Sequence, residues 1–295
     1  MSVLNKVHTQ PSTAKKRLSS KRHFLQMKRI LIAAAFTLAL VACSKNSITG
    51  RSQLALLPES ELRSMATTEY QQFLSENKVV NAVANKDAAM VRRVGERLVA
   101  AINAFYAEKG LSEELAGYKW EYNLVDSKEV NAWAMPGGKI VVYTGLLPVT
   151  QNEAALAVVL GHEITHALAH HGNERMSQEL VAQGIGVVGG ILTSGNAQVA
   201  NIFNSVYGPG AQIGVLLPNS RKQELEADRY GLMFTAMAGY NPEEAIPLWE
   251  RMKAMSEGQR PPEFLSTHPA EDTRIAKLKS LMPEVLKYYK PMQNK

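Results

Sequence analysis

Five residues inside an apolar run constrain this chain more than any others: His162-Glu163-Ile164-Thr165-His166. Leu156, Val159, Leu160 and Leu168 surround them, so the segment is expected to be buried. Burying an imidazole without a partner costs about 1–3 kcal/mol. Residues four apart on a helix share a face one turn apart, so both rings can reach one point. The H-E-x-x-H spacing suits a single metal ion, with Glu163 next to the first histidine and within reach of a water that the metal acidifies. A catalytic zinc takes three protein ligands and leaves one position open, so a third ligand has to come from elsewhere. Glu224-Leu225-Glu226-Ala227-Asp228 offers Glu224 and Asp228 on a shared helical face. Spacing alone does not separate Glu224 from a surface carboxylate. Glu226 points elsewhere and is expected to be a solvated charge. His170 and His171 end the motif's helix, where positive side chains suit the C-terminal dipole.

Around the motif the chain reads as mainly helical. Thr150 as N-cap and Glu153 three residues on form a capping-box pattern, which predicts a helix running to about His171 and stopping at Gly172. Earlier helices are predicted from about Pro58 to Leu74 and from about Asp87 to Tyr106. In the second, Met90, Val91, Val94, Leu98, Ala101 and Ile102 recur at helical spacing. Tyr118 to Leu124 has strand composition, and Val130 to Met135 and Lys139 to Tyr143 flank the turn Pro136-Gly137-Gly138. Leu180 to Phe203 is apolar but interrupted by polar and small residues; a packed helical hairpin is expected, with a lid or a membrane-touching segment as the alternatives. Helices are predicted over Ser220 to Ala238, after Asn241-Pro242, and over Thr273 to Leu281. The fold class is α+β, with a small sheet beside the motif's helix.

The charge balance misleads. The 295-residue chain carries a formal net charge of +6, yet residues 1–43 hold eight Lys or Arg and no Asp or Glu. Residues 44–295 then hold 25 Lys and Arg against 27 Asp and Glu, a net of −2. A nucleic-acid partner, which needs a basic face, is not expected. Lys28 and Arg29 precede an apolar run from Ile30 to Val41, the pattern of an export signal beginning at Met27. Leu40-Val41-Ala42-Cys43 resembles the bacterial lipobox, which implies lipidation of Cys43 and a membrane anchor through it. With Ser44 next, that pattern places the protein at the periplasmic face of the outer membrane. Cys43 is the one cysteine, so no disulfide can form within the chain and no second thiol is available for catalysis.

The ordered set H-E-I-T-H, S-R-K-Q-E-L-E-A-D at 220–228 and T-H-P at 267–269 resembles the zinc metallopeptidase family of the CAAX prenyl protease and HtpX. Asn131-Ala132-Trp133-Ala134, the Pro-Gly-Gly turn and Tyr143-Thr144-Gly145-Leu146 add to it. It looks most similar to periplasmic, lipoprotein-type members such as BepA and LoiP, over about Asn46 to Ile275. The resemblance implies a gluzincin-type fold and one Zn2+ per chain held by His162, His166 and Glu224. It implies Glu163 as general base and Asp228 as a residue that orients the ligands. His268 would lie near the metal, either donating to the developing oxyanion or binding the zinc and blocking water. Arg274 is read either as a charge-stabilising neighbour or as a surface residue. Asn131, Ala132, Trp133 and Ala134 would form a strand edge to which an extended substrate adds. The expected organisation is an extension and signal over 1–43 and one metallopeptidase domain over 44–295, helical over 58–110 with a catalytic core over 111–295. The expected activity is hydrolysis of protein or peptide substrates in quality control of the bacterial cell envelope. No protein partner is named by the sequence.

Overall fold

The computed structural model describes residues 43–183, 195–207, 220–256, 264–268 and 272–291. The chain divides into Met1–Ser44 and Lys45–Lys295. The expected export signal, with its start at Met27 and its apolar run from Ile30 to Val41, lies outside the described residues. Cys43 opens a short strand, β1 (Cys43–Lys45), and β2 (Ser52–Leu54) follows.

Two helices precede the sheet. α1 (Glu59–Glu76) starts after Pro58 and buries Leu62, Met65, Ala66, Tyr70 and Phe73. α2 (Lys86–Glu108) is capped by Asn85, whose side chain accepts from the N–H groups of Asp87 and Ala88. Its buried stripe contains Val91, Val94, Leu98 and Ile102, as the helical spacing predicts.

The main sheet contains β3 (Glu121–Val125), β4 (Ala132–Met135) and β5 (Lys139–Tyr143) in the order β3-β5-β4. β4 and β5 pair antiparallel, with Met135 opposite Lys139. The turn between them has φ 83° at Gly137 and 86° at Gly138, a backbone that side chains rarely tolerate. β3 pairs parallel with the far side of β5, from Glu121↔Lys139 to Val125↔Tyr143. Buried throughout, β5 separates two apolar clusters. Ile140 and Val142 face the larger, with residues of α2; Val141 and Tyr143 face the smaller, with residues of α1. That alternation is the period-two geometry of a strand.

The motif's helix departs from expectation at both ends. α3 (Leu147–Thr150) closes with Thr150, and Gln151 turns the chain at φ 66°. α4 (Glu153–Leu168) is then capped by Asn152, whose Oδ1 accepts from the Ala155 N–H at 2.8 Å. Thr150 is therefore not the cap. α4 ends at Leu168, and His170 turns the chain with φ 55°. His170 Nδ1 stands 3.1 Å from Glu59 Oε2. Gly172 is not the stop signal, because a new helix, α5 (His171–Ala182), already includes it.

α6 (Ala197–Tyr207) buries Val199, Ile202 and Phe203 in the same cluster as Met176 and Leu180 of α5. The described parts of the 180–203 stretch are therefore packed helices; residues 184–194 lie outside the described set. α7 (Arg221–Met237) begins with a capping box between Ser220 and Gln223. α8 (Ala245–Ser256), α9 (Phe264–Thr267) and α10 (Asp272–Val285) are the remaining α-helices among the described residues. Among the described residues no helix is long and apolar enough to cross a membrane.

The contact that positions the site is between α4 and α7. A Cβ on Gly161 would stand 2.7 Å from the Gly231 carbonyl oxygen, and one on Gly231 would stand 2.8 Å from the His162 nitrogen. Only glycine on both sides lets the two backbones touch. Thr235 Oγ1 sits at the crossing between the Gly231 carbonyl at 2.8 Å and the Ala157 carbonyl at 3.1 Å, which share its one hydrogen. His162 follows Gly161 directly, while Asp228 and Glu224 lie one and two turns before Gly231.

Candidate metal centre

The crossing brings together residues far apart in sequence. His162, His166, Glu224 and His268 are all buried, and each offers a donor atom within 4.8 Å of the other three. His162 Nε2 lies 3.0 Å from His166 Nε2 and 3.1 Å from His268 Nδ1. Glu224 Oε1 lies 3.3 Å from His166 Nε2 and 2.9 Å from His268 Nδ1. Glu224 Oε2 lies 3.4 Å from His162 Nε2. Tetrahedral zinc with ligands at 2.0–2.1 Å needs donors about 3.3 Å apart. Three nitrogens and a carboxylate at these spacings therefore fit one zinc ion. Without a cation or a proton between them, lone pairs this close would repel.

The outer nitrogens of the two motif histidines are held differently. His162 Nδ1 stands 3.0 Å from Asp228 Oδ1. Asp228 also accepts from Arg274, at 2.9 Å from Nε and 2.7 Å from Nη2. Arg274 reaches Glu224 Oε2 through Nη1 at 2.8 Å, and its guanidinium lies 3.6 Å over the Trp249 ring. Arg274 is thus buried between both carboxylates, which removes the surface reading of that residue. His166 Nδ1 instead meets His171 Nδ1 at 2.8 Å. His171 Nε2 then meets Glu226 Oε2 at 2.9 Å.

His171 and Glu226 both correct the sequence reading. His171 is buried at 1% exposure, not a charge on a helix end, because α4 stops early and α5 turns the residue back towards the motif. Glu226 is not free in solvent: it binds His171 and accepts from Arg51 Nε at 2.7 Å. A signal for both existed in the sequence, since a histidine five residues after the motif and a second acid in E-L-E-A-D were visible. What was missing was the break at His170.

Charge follows from these neighbours. Burial works against a charged His162, but Glu224 and Asp228 outweigh it and raise its pKa to about 9. Burial drives His166 well below the ordinary histidine range, with Glu224 opposing it. Glu224 and Asp228 resist the upward push of burial: His268, Arg274 and His162 hold Glu224 well below the usual carboxylate range, and Arg274 and His162 lower Asp228. Glu163 goes the other way, raised chiefly by burial. Its Oε1 makes no hydrogen bond and stands 3.5 Å from His268 Nε2. His268 is stacked on Phe264, with ring centres 4.6 Å apart.

The strand residues sit beside this cluster, since β4 packs against α4 and forms an edge of the described sheet. Asn131 and Ala132 are buried, and Asn131 Oδ1 accepts from the Ala132 N–H at 2.9 Å. Trp133 packs edge-on against Phe73 and Tyr70, with ring centres 5.1 and 6.2 Å away. Its ring is half-buried against the smaller apolar cluster, and the strand edge itself presents backbone.

Comparison with known proteins fits this arrangement. The model of peptidase family M48 matches residues 85–282, two thirds of the chain. This chain belongs to peptidase family M48. It is 35% identical over 196 residues to the mitochondrial metalloendopeptidase OMA1 of Schizosaccharomyces pombe, covering 66% of this chain and 52% of that one. It is 31% identical over 248 residues to the human OMA1, covering 81% and 46%. It is 29% identical over 164 residues to the beta-barrel assembly-enhancing protease of Escherichia coli, covering 53% and 33%. The chain spans about half the length of the OMA1 relatives. The family is a zinc-dependent one, in keeping with the donor set.

These comparisons overturn the expected placement. A bacterial envelope protein on the outer membrane was expected, but the two relatives of higher identity are mitochondrial proteins of a fungus and of human. Nor does similarity favour the periplasmic lipoprotein-type members, since identity to the Escherichia coli protein is lower than to OMA1.

Proposed function

We propose that this M48 member is a zinc metalloendopeptidase whose metal is held by His162, His166 and Glu224. The observation that carries the reading is the buried four-donor cluster with the unbonded Glu163 Oε1 beside it. Zinc bound there supplies Lewis-acid polarisation of a carbonyl and acidifies water. Glu163 takes the proton of the attacking water and hands it to the leaving amine. Its raised pKa suits a group that must hold that proton between the two steps. Asp228 and Arg274 fix His162 and Glu224 so that the donors stay in place.

Substrate is read by the edge of β4, where an extended peptide pairs by backbone hydrogen bonds. Such pairing tolerates varied sequence and suits misfolded or misassembled proteins. In this reading residues 44–295 act as one catalytic domain.

His268 is the fourth donor. Three protein ligands leave a catalytic zinc open, and a fourth closes it, so His268 in its observed place keeps the enzyme at rest and has to swing away for turnover. The alternative role, donation to the oxyanion, needs a protonated His268 nitrogen beside the open position and not a lone pair on the metal.

Glu163→Gln is expected to keep zinc and fold while casein cleavage falls by about 10²–10⁴-fold. Cleavage at the wild-type rate would remove Glu163 as the base. His268→Ala is expected to raise the rate; a fall would favour the oxyanion role, and an unchanged rate would take His268 out of the site.

A further inference from the structure

The two outer supports of the metal-binding histidines are of different chemical kinds. His162 leans on a carboxylate, as ligand histidines commonly do. His166 leans on another imidazole. His166 Nδ1 and His171 Nδ1 are 2.8 Å apart, so one of them carries the hydrogen. At the far side of the His171 ring, Nε2 faces Glu226 Oε2 at 2.9 Å. An ionised carboxylate can only accept, so His171 Nε2 carries a proton. In the neutral ring the Nδ1 is then bare and accepts, and the shared hydrogen belongs to His166 Nδ1. That tautomer leaves the lone pair of His166 on Nε2, the atom that faces His162 and Glu224.

Glu226 is itself fixed. Arg51 Nε donates to Glu226 Oε1 at 2.7 Å, while Nη1 and Nη2 grip the two oxygens of Glu174 at 2.6 and 2.7 Å. Gln223 Nε2 adds a bond to Glu174 Oε2 at 2.7 Å. The chain of contacts therefore starts in the segment after β1 and ends on His166. The same segment is latched to the end of α4 by Asn46 Nδ2 on the Leu168 carbonyl at 3.3 Å and Gln53 Nε2 on the Ala169 carbonyl at 2.8 Å.

We infer that His171, backed by Glu226 and Arg51, is a positioning residue for the metal: it sets the tautomer and ring angle of His166 so that Nε2 is presented to zinc. The inference rests on His166 being a zinc ligand, as proposed above. A network that served only to hold the N-terminal segment would affect folding and leave zinc affinity alone.

The test uses the full chain with zinc and a competing chelator of known affinity, on wild type, Glu226→Ala, Glu226→Gln, His171→Phe and His166→Ala. Glu226→Ala and His171→Phe are expected to weaken zinc binding about 10–100-fold, the usual effect of losing an outer partner of a ligand histidine. Glu226→Gln keeps an acceptor for His171 and is expected to stay between wild type and Glu226→Ala. Glu226 has a side chain only 17% exposed but on the outer side of the network, so Glu226→Ala carries the test if His171→Phe does not fold. Nitrogen-15 histidine spectra of the zinc-free protein are expected to show the hydrogen of His166 on Nδ1. Unchanged zinc affinity in Glu226→Ala, with or without a lowered melting temperature, overturns the inference, as does a His166 protonated on Nε2 alone. If wild type binds no zinc, or His166→Ala binds it as tightly as wild type, the metal reading itself fails instead.

Discussion

His162 and His166 face the same donor cluster from adjacent turns of one helix, yet they are braced from opposite directions. The His162 brace is compact: Asp228 sits on α7, one helical turn from Glu224, and Arg274 joins both carboxylates. The His166 brace is long, running through His171 and Glu226 to Arg51 in the N-terminal segment. The first is fully buried, while Arg51 and Glu226 keep 21% and 17% of their side chains exposed. The difference teaches that one side of the site depends on packing of the core helices and the other on a strap that water can reach.

Breaking the buried brace is expected to cost most. Asp228→Ala leaves Arg274 short of a partner inside the protein, which costs about 3–5 kcal/mol in comparable buried pairs. A urea melt of the zinc-free protein at neutral pH measures it. Acid removes part of the same interaction. Asp228 and Glu224 have lowered pKa values when folded, so below about pH 4 the unfolded chain binds more protons than the folded one and stability falls with pH. The stabilisation is present above the unfolded value and lost as pH drops through the folded ones. Melts of wild type and Asp228→Asn from pH 7 to pH 3 should show the variant losing less.

Prising the helices apart is next. Gly161→Ala pushes a methyl into the Gly231 carbonyl and is expected to cost about 1–3 kcal/mol, with weaker zinc binding because Glu224 is moved away from both histidines. Arg51→Ala should do least to folding, about 1–2 kcal/mol, because water reaches part of its pairs with Glu174 and Glu226 and takes over some of the lost bonds. Its zinc affinity should nevertheless fall further than its melting temperature suggests. If Arg51→Ala lowers stability and leaves zinc affinity alone, the two braces differ in location only.

Much of the site was legible in sequence for one reason. Helical spacing is local, so H-E-x-x-H placed two imidazoles and a carboxylate on known faces of α4 without reference to the rest. The same held for α2, whose buried stripe follows its apolar repeat, and for β5, found over the predicted Lys139 to Tyr143. Helix ends were less legible. Thr150 and Asn152 are both good caps, and the choice fell to Asn152 because Gln151 adopts a left-handed turn. At the other end Gly172 looked like a stop, but His170 took the left-handed turn two residues earlier, beside Glu59 of α1.

Sequence by itself determined that His162 and His166 share one helical face, with Glu163 next to the first of them, because residue type and helical period are properties of a short stretch. Tertiary structure decided which of the acids in E-L-E-A-D does what. Glu224 and Asp228 reach the histidines only because Gly161 and Gly231 let two backbones meet, and Glu226 turns from a surface charge into a support for His171 only because Arg51 arrives from over a hundred residues away. Such contacts depend on side-chain volume and chain path across the whole fold, which no local pattern encodes.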